Sequence, residues 1–352
     1  MKHIHLLTTW LLLTAITTMS CAQSKYATQD TPAPSVTNSS AHKKYAMNIN
    51  QNEGNPRLYA SDNIISRDFK LTDFKRIHLS SYGNIRYEYS QQPRVSIRTS
   101  DNVFDVVTVK VENETLTIDF RKDVYVSLDV FDVIVGSPQL EEVKMNGMAN
   151  LQLAGNLTTD RLKIHTSGIC NVTADGNITC KDKLELNLEG ISKFNLAEQT
   201  KAKDIKIGID GIGHITAGQF VASNTMVFHN SGVGESNVKE IRTDVFNCNI
   251  SGAGKIKCKN FLANDTRAQL SGTGSMELGG ATQRAHYTVK DCGKVIAGNL
   301  KTETTDASVG NAGSIECYAE KQLHTTTADA GQISYAGNPV LNHSGSMKPK
   351  KL

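Results

Sequence analysis

From Leu140 onward, apolar residues fall into columns that recur every 18–22 positions. The columns are keyed to a short phrase, roughly Ser/Asp/Asn-Gly-x-Gly followed by alternating polar and apolar residues. Its cleanest copies are Ser251-Gly252-Ala253-Gly254-Lys255-Ile256 and Ser271-Gly272-Thr273-Gly274-Ser275-Met276. Indexed on the second small residue, the series runs Ala149, Cys170, Ser192, Gly213, Gly234, Gly254, Gly274, Gly293, Gly313 and Gly331. Two places after the index stand Leu151, Val172, Phe194, Ile215, Ile256 and Met276; four after stand Leu153, Leu196, Val238, Cys258 and Leu278. Six before stand Ile164, Leu186, Ile207, Phe228 and Cys248, and four before Leu188, Ile209, Ile250, Leu270 and Val289. A looser column seven or eight after holds Leu157, Ile178, Phe220, Ile241, Phe261 and Leu300. Thr166, Asn230 and Ser236 are polar members of these columns.

Period-two alternation puts each column on one face of a strand. Three apolar segments per repeat, each closed by a bend, describe a coil around a narrow core. A unit of about 20 residues cannot bury its own face, so neighbours must stack. The expected fold is all-β: a parallel β-helix-like solenoid of about ten rungs, preceded by a short-stranded β region. At about 4.8 Å per rung, ten rungs make a rod of roughly 45 Å. The glycines of the phrase are Gly147, Gly168, Gly190, Gly211, Gly213, Gly232, Gly234, Gly252, Gly254, Gly272, Gly274, Gly293, Gly313 and Gly331. They read as structural turns. Glycine accepts positive φ and lets stacked turns approach closely.

Between Phe74 and Met145 the phrase is absent. Short alternating strands are expected at 75–79, 85–89, 95–99, 107–111, 116–120 and 129–135, with turns at Tyr82-Gly83-Asn84 and Asn113-Glu114. This region starts the rod and caps it. The boundaries then read 1–21 signal, 22–60 polar tether, 61–139 N-terminal β region, 140–342 solenoid and 343–352 basic tail, the last frayed and solvated.

The start of the chain changes the picture most. Lys2, an apolar stretch from Leu6 to Ile16 and small residues before Cys21 form an export signal. Thr18-Met19-Ser20-Cys21 resembles a bacterial lipobox, which makes Cys21 the expected lipidation site; cleavage near Ala22 is the alternative. The Ser-, Thr- and Pro-rich stretch after it has no apolar pattern and reads as a tether. The expected location is the cell envelope, as an outer-membrane lipoprotein, periplasmic or surface-exposed, held to the membrane by lipid. A net charge of +3 without a basic stripe excludes nucleic acid as a partner.

Chemistry is sparse. No helix and no Lys-Ser/Thr follow the Gly-x-Gly phrases, so they are turns and not phosphate cradles. Cys248, Cys258 and Cys317 fall in inward columns, Cys170 and Cys292 at turns and Cys180 on the third side; no zinc spacing occurs. His165, His214, His229, His286 and His324 are scattered, with His286 and His324 two rungs apart. Glu189 and Asp210 share a pre-glycine slot on neighbouring rungs and are the best candidates for an acid–base or Ca²⁺-binding pair. The same slot is mostly Ser, Asn or Lys elsewhere, which reads as a polar turn position. No catalytic, metal or cofactor residue is assigned.

Phe74-Lys75-Arg76-Ile77, Val95-Ser96-Ile97-Arg98-Thr99-Ser100-Asp101-Asn102, the strand Val109 to Ile118, the repeated Ser-Gly-x-Gly phrases and Ile333-Ser334-Tyr335-Ala336-Gly337-Asn338-Pro339 together resemble the family called putative auto-transporter adhesin, head GIN domain. The resemblance covers about 74–340. It implies a Bacteroidetes-type envelope protein similar to β-helical adhesin passengers, and it brings no catalytic residues. Ala149, Cys170 and Ser192 depart from the second glycine, and those rungs are expected to be stiffer or slightly distorted. The functional expectation is a non-catalytic binding or adhesion module showing a polar side to a surface glycan or protein. A carbohydrate-active β-helix enzyme and a purely structural envelope protein are the alternatives.

Overall fold

The computed structural model of the protein describes residues 56–80 and 82–352. The export signal, Cys21 and most of the tether lie outside the described residues. What is described is almost entirely β, with one short 3₁₀ turn at Asp101–Asp105.

The solenoid stacks in parallel with the expected register. Ala149 pairs with Cys170, Cys170 with Ser192, Ser192 with Gly213, Gly213 with Gly234 and Gly234 with Gly254. Lys255, Ser275, Lys294, Ser314 and Gln332, each one past an index residue, carry the ladder on. The inward columns form one continuous core. Each fully buried Ile, Leu or Phe contributes about 1.5–3 kcal/mol relative to exposure, and neighbouring rungs share that gain because neither can bury its face alone.

The polar members of the columns sit inside this core. The hydroxyls of Thr166 and Ser192 satisfy each other at 2.8 Å. Asn230 and Ser236 are buried with no hydrogen-bond partner among the described residues. The side-chain amide of Asn230 occupies the place a Cβ on Gly254 would take, 2.1 Å from Nδ2. Glycine at that index position thus makes room for the amide.

The turn glycines have a sharper role than conformational freedom. Positive φ is adopted at Gly147, Gly190 and Gly234, but not at Gly168, Gly211, Gly232, Gly252 or Gly272. What these share is backbone contact: a Cβ on Gly168 would lie 1.9 Å from the Gly147 carbonyl oxygen, and one on Gly232 2.0 Å from that of Gly211. Close stacking, more than φ, excludes a side chain there. At Ala149, Cys170 and Ser192 the expected distortion is absent from the register. Strands Met148–Ala154, Ile169–Ala174 and Ile191–Ile209 pair without a break through these positions, and the three small side chains are buried. The register shifts of these rungs fall elsewhere, at Thr159/Arg161, Thr179/Lys183, Leu196/Gln199 and Ala202/Asp204.

The N-terminal region belongs to the same stack, in an order the chain does not follow. Strand Arg76–Leu79 lies between Thr115–Phe120 and Glu142–Met145, parallel to both. Tyr82–Tyr89 likewise lies between Phe131–Ser137 and Met148–Ala154. The first rung of the chain is therefore second in space. Antiparallel strands close the outer side: Val107–Glu112 covers Thr115–Phe120, Arg94–Ser100 covers Phe131–Ser137, and Ile64–Phe69 covers Arg94–Ser100. Asn113 and Glu114 both have positive φ, as a two-residue hairpin turn requires.

Two segments depart from expectation. Arg57–Tyr59, assigned to the tether, pairs with Tyr125–Ser127. Residues 343–352, expected to fray, lie in a further rung. Val340–Gly345 pairs with Gln322–Thr327, and Lys350–Lys351 pairs with the strand Gln332–Ala336. The connecting Met347 exchanges two 2.9 Å hydrogen bonds with the Thr327 hydroxyl. Lysines flanking a strand add charge without interrupting backbone pairing, so a basic stretch is no evidence of fraying.

Candidate functional site

The outward columns distinguish one face of the solenoid. One place before the index, the x of Gly-x-Gly, stand Tyr82, Met148, Ile169, Ile191, Ile212 and Val233. They are paired rung to rung and are between 39% and 52% exposed. Six consecutive rungs at about 4.8 Å make an apolar stripe about 24 Å long. Scattered exposed apolar residues are normal, but a contiguous stripe rimmed by polar groups marks a contact surface. The next rungs carry Ala253, Thr273, Cys292, Ala312 and Ala330 in that slot, so the turn itself does not demand a large aliphatic group.

Beside the stripe, on the same strands, runs a ladder of amides. Asn171 Nδ2 donates to Asn150 Oδ1 at 2.9 Å, Asn150 to Asn84 at 2.8 Å, and Asn84 to Asp132 Oδ1 at 2.9 Å. Arg98 from the covering antiparallel strand holds the other carboxylate oxygen of Asp132 at 3.1 Å. All the amide dipoles point toward that carboxylate, and aligned hydrogen bonds strengthen one another. One column further, Arg86 donates to Gln152 at 2.7 Å and Gln152 to Asp175 at 2.5 Å. These columns line a shallow depression of about 520 Å³. Each Asn spends one of its two N–H donors within the ladder and keeps one for a ligand.

A second face carries a groove of about 660 Å³. Its outward columns are Lys206–Val227–Asn247–Arg267–His286 and Asn187–Gly208–His229–Asn249–Gln269–Thr288, paired rung to rung. Gly208, itself buried, stands between Asn187 and His229, with Asn187 Oδ1 3.2 Å from where its Cβ would lie.

The residues weighed for chemistry do not converge. Glu189 leans toward His165 at 3.8 Å, whereas Asp210 leans toward His229 at 3.9 Å and accepts from Ser231 at 2.5 Å. Both carboxylates are about half exposed, in polar turn slots. His286 pairs with Asp306 at 2.9 Å, and Asp306 separates it from His324 in the ladder. Among the described residues no three ligating side chains gather into a metal site. Cys170, Cys180, Cys248, Cys258 and Cys317 are buried free thiols. Burial pushes Cys180, Cys248 and Cys317 up to about 12 and Cys258 to about 11, which keeps them protonated and inert. The apolar stripe was missed in the sequence, although its signal was present: the x slot is large and aliphatic in consecutive copies.

Residues 73–235 and 228–339 both match the model of the family described as putative auto-transporter adhesin, head GIN domain. The chain belongs to this family. The two matches meet inside continuous rungs, where Ile212–Asn230 and Val233–Ile250 pair from end to end; two family units thus build a single adhesin-type solenoid. No curated protein matches the chain. Among solved structures, it is similar to a putative lipid binding protein from Parabacteroides distasonis ATCC 8503, at 18% identity and a TM-score of 0.38, covering 84% of this chain and 99% of that one. A putative adhesin from Parabacteroides merdae ATCC 43184 gives 18%, 0.36, 84% and 99% in the same order. One from Bacteroides fragilis NCTC 9343 gives 20%, 0.29, 84% and 97%.

Proposed function

We propose that this protein is a non-catalytic binding and adhesion module of the cell envelope, tethered by lipid on Cys21, that holds a surface glycan against its stripe-and-ladder face. The observation that carries the reading is the stripe of six half-exposed apolar side chains beside the hydrogen-bonded amide ladder. A sugar offers the same two chemistries, C–H surfaces and hydroxyl edges. The aliphatic stripe takes the first and the spare amide donors the second. Repetition every rung suits many weak contacts along a chain ligand, in which linked sites multiply. An enzyme needs a few groups held convergently with tuned protonation, and Glu189 and Asp210 are turned toward separate histidines.

The test uses the full chain carrying Cys21→Ser on a glycan array. The parent should retain at least one glycan, and Ile169→Ser/Ile191→Ser/Ile212→Ser should weaken it at least tenfold while the variant stays folded, with a lowered melting temperature still well above that of the assay. Full retention by the triple variant would remove the stripe from function. Cleavage of a bound glycan, abolished by Glu189→Ala/Asp210→Ala, would make the protein an enzyme. For the anchor, the wild type should partition with membranes and Cys21→Ser should not.

A further inference from the structure

We propose that the groove spanning Lys206 and Arg267 is a second, separate site that binds an anionic polysaccharide through its acid groups. The argument starts from charge left over after the local pairs are counted. Arg267 and Arg284 share one carboxylate, that of the buried Asp265, at 3.2 and 3.3 Å. One carboxylate for two guanidiniums leaves one positive charge uncompensated. Both guanidiniums are exposed beyond their contact with it, so they are held in place and still face solvent. Lys206 makes no ion pair among the described residues. Glu185, its neighbour in the ladder, is held by Lys183 at 3.0 Å and by the Asn187 amide at 3.0 Å. Asp210, the carboxylate that lines the groove, accepts from the Ser231 hydroxyl at 2.5 Å and keeps its charge, so the lining sets two cations against one anion.

Lys206 and Arg267 stand in the same column three rungs apart, about 14 Å at the rung spacing. Between and beside them lie Asn247, Asn249 and Gln269, side chains that both donate and accept. Fixed cations separated by neutral hydrogen-bonding groups match a chain whose acid groups alternate with hydroxyls. A compact anion could meet only one of the two cations. The exposed aromatics of the groove are the imidazoles of His229 and His286, in different columns, so no row of large aromatic platforms offers the bases of a single-stranded nucleic acid a surface to stack on.

The experiment uses the full chain with Cys21→Ser and measures binding to polygalacturonate, dextran sulfate, neutral dextran and oligo-dT at low and moderate salt. The parent should bind at least one acidic polysaccharide and not neutral dextran, and raising the salt should weaken it. Lys206→Glu/Arg267→Glu should lose at least tenfold. Lys206→Glu alone, at an exposed lysine, should lose severalfold and guards against a folding defect. Preference for polygalacturonate assigns carboxylates and preference for dextran sulfate assigns sulfates; either supports the site. No binding to either polymer overturns it. So does an equal loss in Lys201→Glu/Lys239→Glu, which changes net charge equally on other faces, and so does equal binding of oligo-dT. The Ile169/Ile191/Ile212 serine variant should bind the acidic polymer as the parent does. That result separates a failure here from a failure of the stripe, and loss of acidic-polymer binding in that variant overturns the claim of a second site.

Discussion

The first six rungs along the stripe, from the Gly83 rung to the Gly234 rung, and the later ones, from Gly254 to Gly331, share one interior and differ on one outward slot. Inside, both halves bury the same columns of aliphatic, aromatic and small residues. Outside, the residue between the two small positions is Tyr, Met, Ile, Ile, Ile and Val in the first half. In the second it is Ala, Thr, Cys, Ala and Ala. The second half is an internal control: a rung folds with a methyl group in that slot. Large apolar side chains held half in water through the first half are therefore not a requirement of the turn.

If the interiors are equivalent, a charge placed in either should be equally ruinous. Ile215→Asp in the first half and Ile256→Asp in the second should each cost more than about 4 kcal/mol, because each buries an unpaired carboxylate between rungs. Lys255→Asp, one residue away, should change stability by only about 0.5 kcal/mol. Unequal melting shifts for the two interior variants would break the equivalence. Gly232→Ala should cost about 3 kcal/mol, since its Cβ would lie 2.0 Å from the Gly211 carbonyl oxygen. Gly310→Ala, whose Cβ would meet nothing nearer than 3.6 Å, should be close to neutral. Chemical denaturation of the pair measures the difference directly.

A smaller effect of opposite sign is expected at Asn230. Both polar atoms of its amide are buried and unpartnered, and neighbouring rungs hold Ile209 and Ile250 in the same column. Asn230→Val should raise stability by about 1 kcal/mol. A fall would show that the amide is satisfied by buried water. The smallest change sharpens the outward contrast. Ala253→Ile extends the stripe by one rung and should leave melting unaltered while tightening glycan binding a few-fold; no change in affinity would place the end of the contact before that rung.

The interior was legible because a repeat forces it to be. Leu151, Ile164, Phe220 and Val289 could be assigned inward from spacing alone, and each is buried. The order of the head was not legible. Arg76–Leu79 pairs directly with Thr115–Phe120, a strand about 40 residues later whose other edge is taken by its own hairpin partner. No local phrase encodes that choice; it follows from which edges remain unpaired once the later strands arrive. The stripe was hidden for a different reason. Period-two reading sorts residues by face, and an isoleucine at a turn is easily taken as noise when its slot is empty of apolar residues elsewhere. The groove on the second face needed pairing across four rungs before its two cations fell into one column.

The antiparallel cover over the head has a consequence for growth. A stack of parallel rungs behaves as a one-dimensional polymer, in which each unit is templated by the one before it. Strands 94–100 and 107–112 run against the stack and occupy the outer backbone groups of its first rung in space, and 64–69 covers 94–100 in turn. The first rung's outer backbone groups are thus already paired, so a further parallel rung has no template directly on that rung.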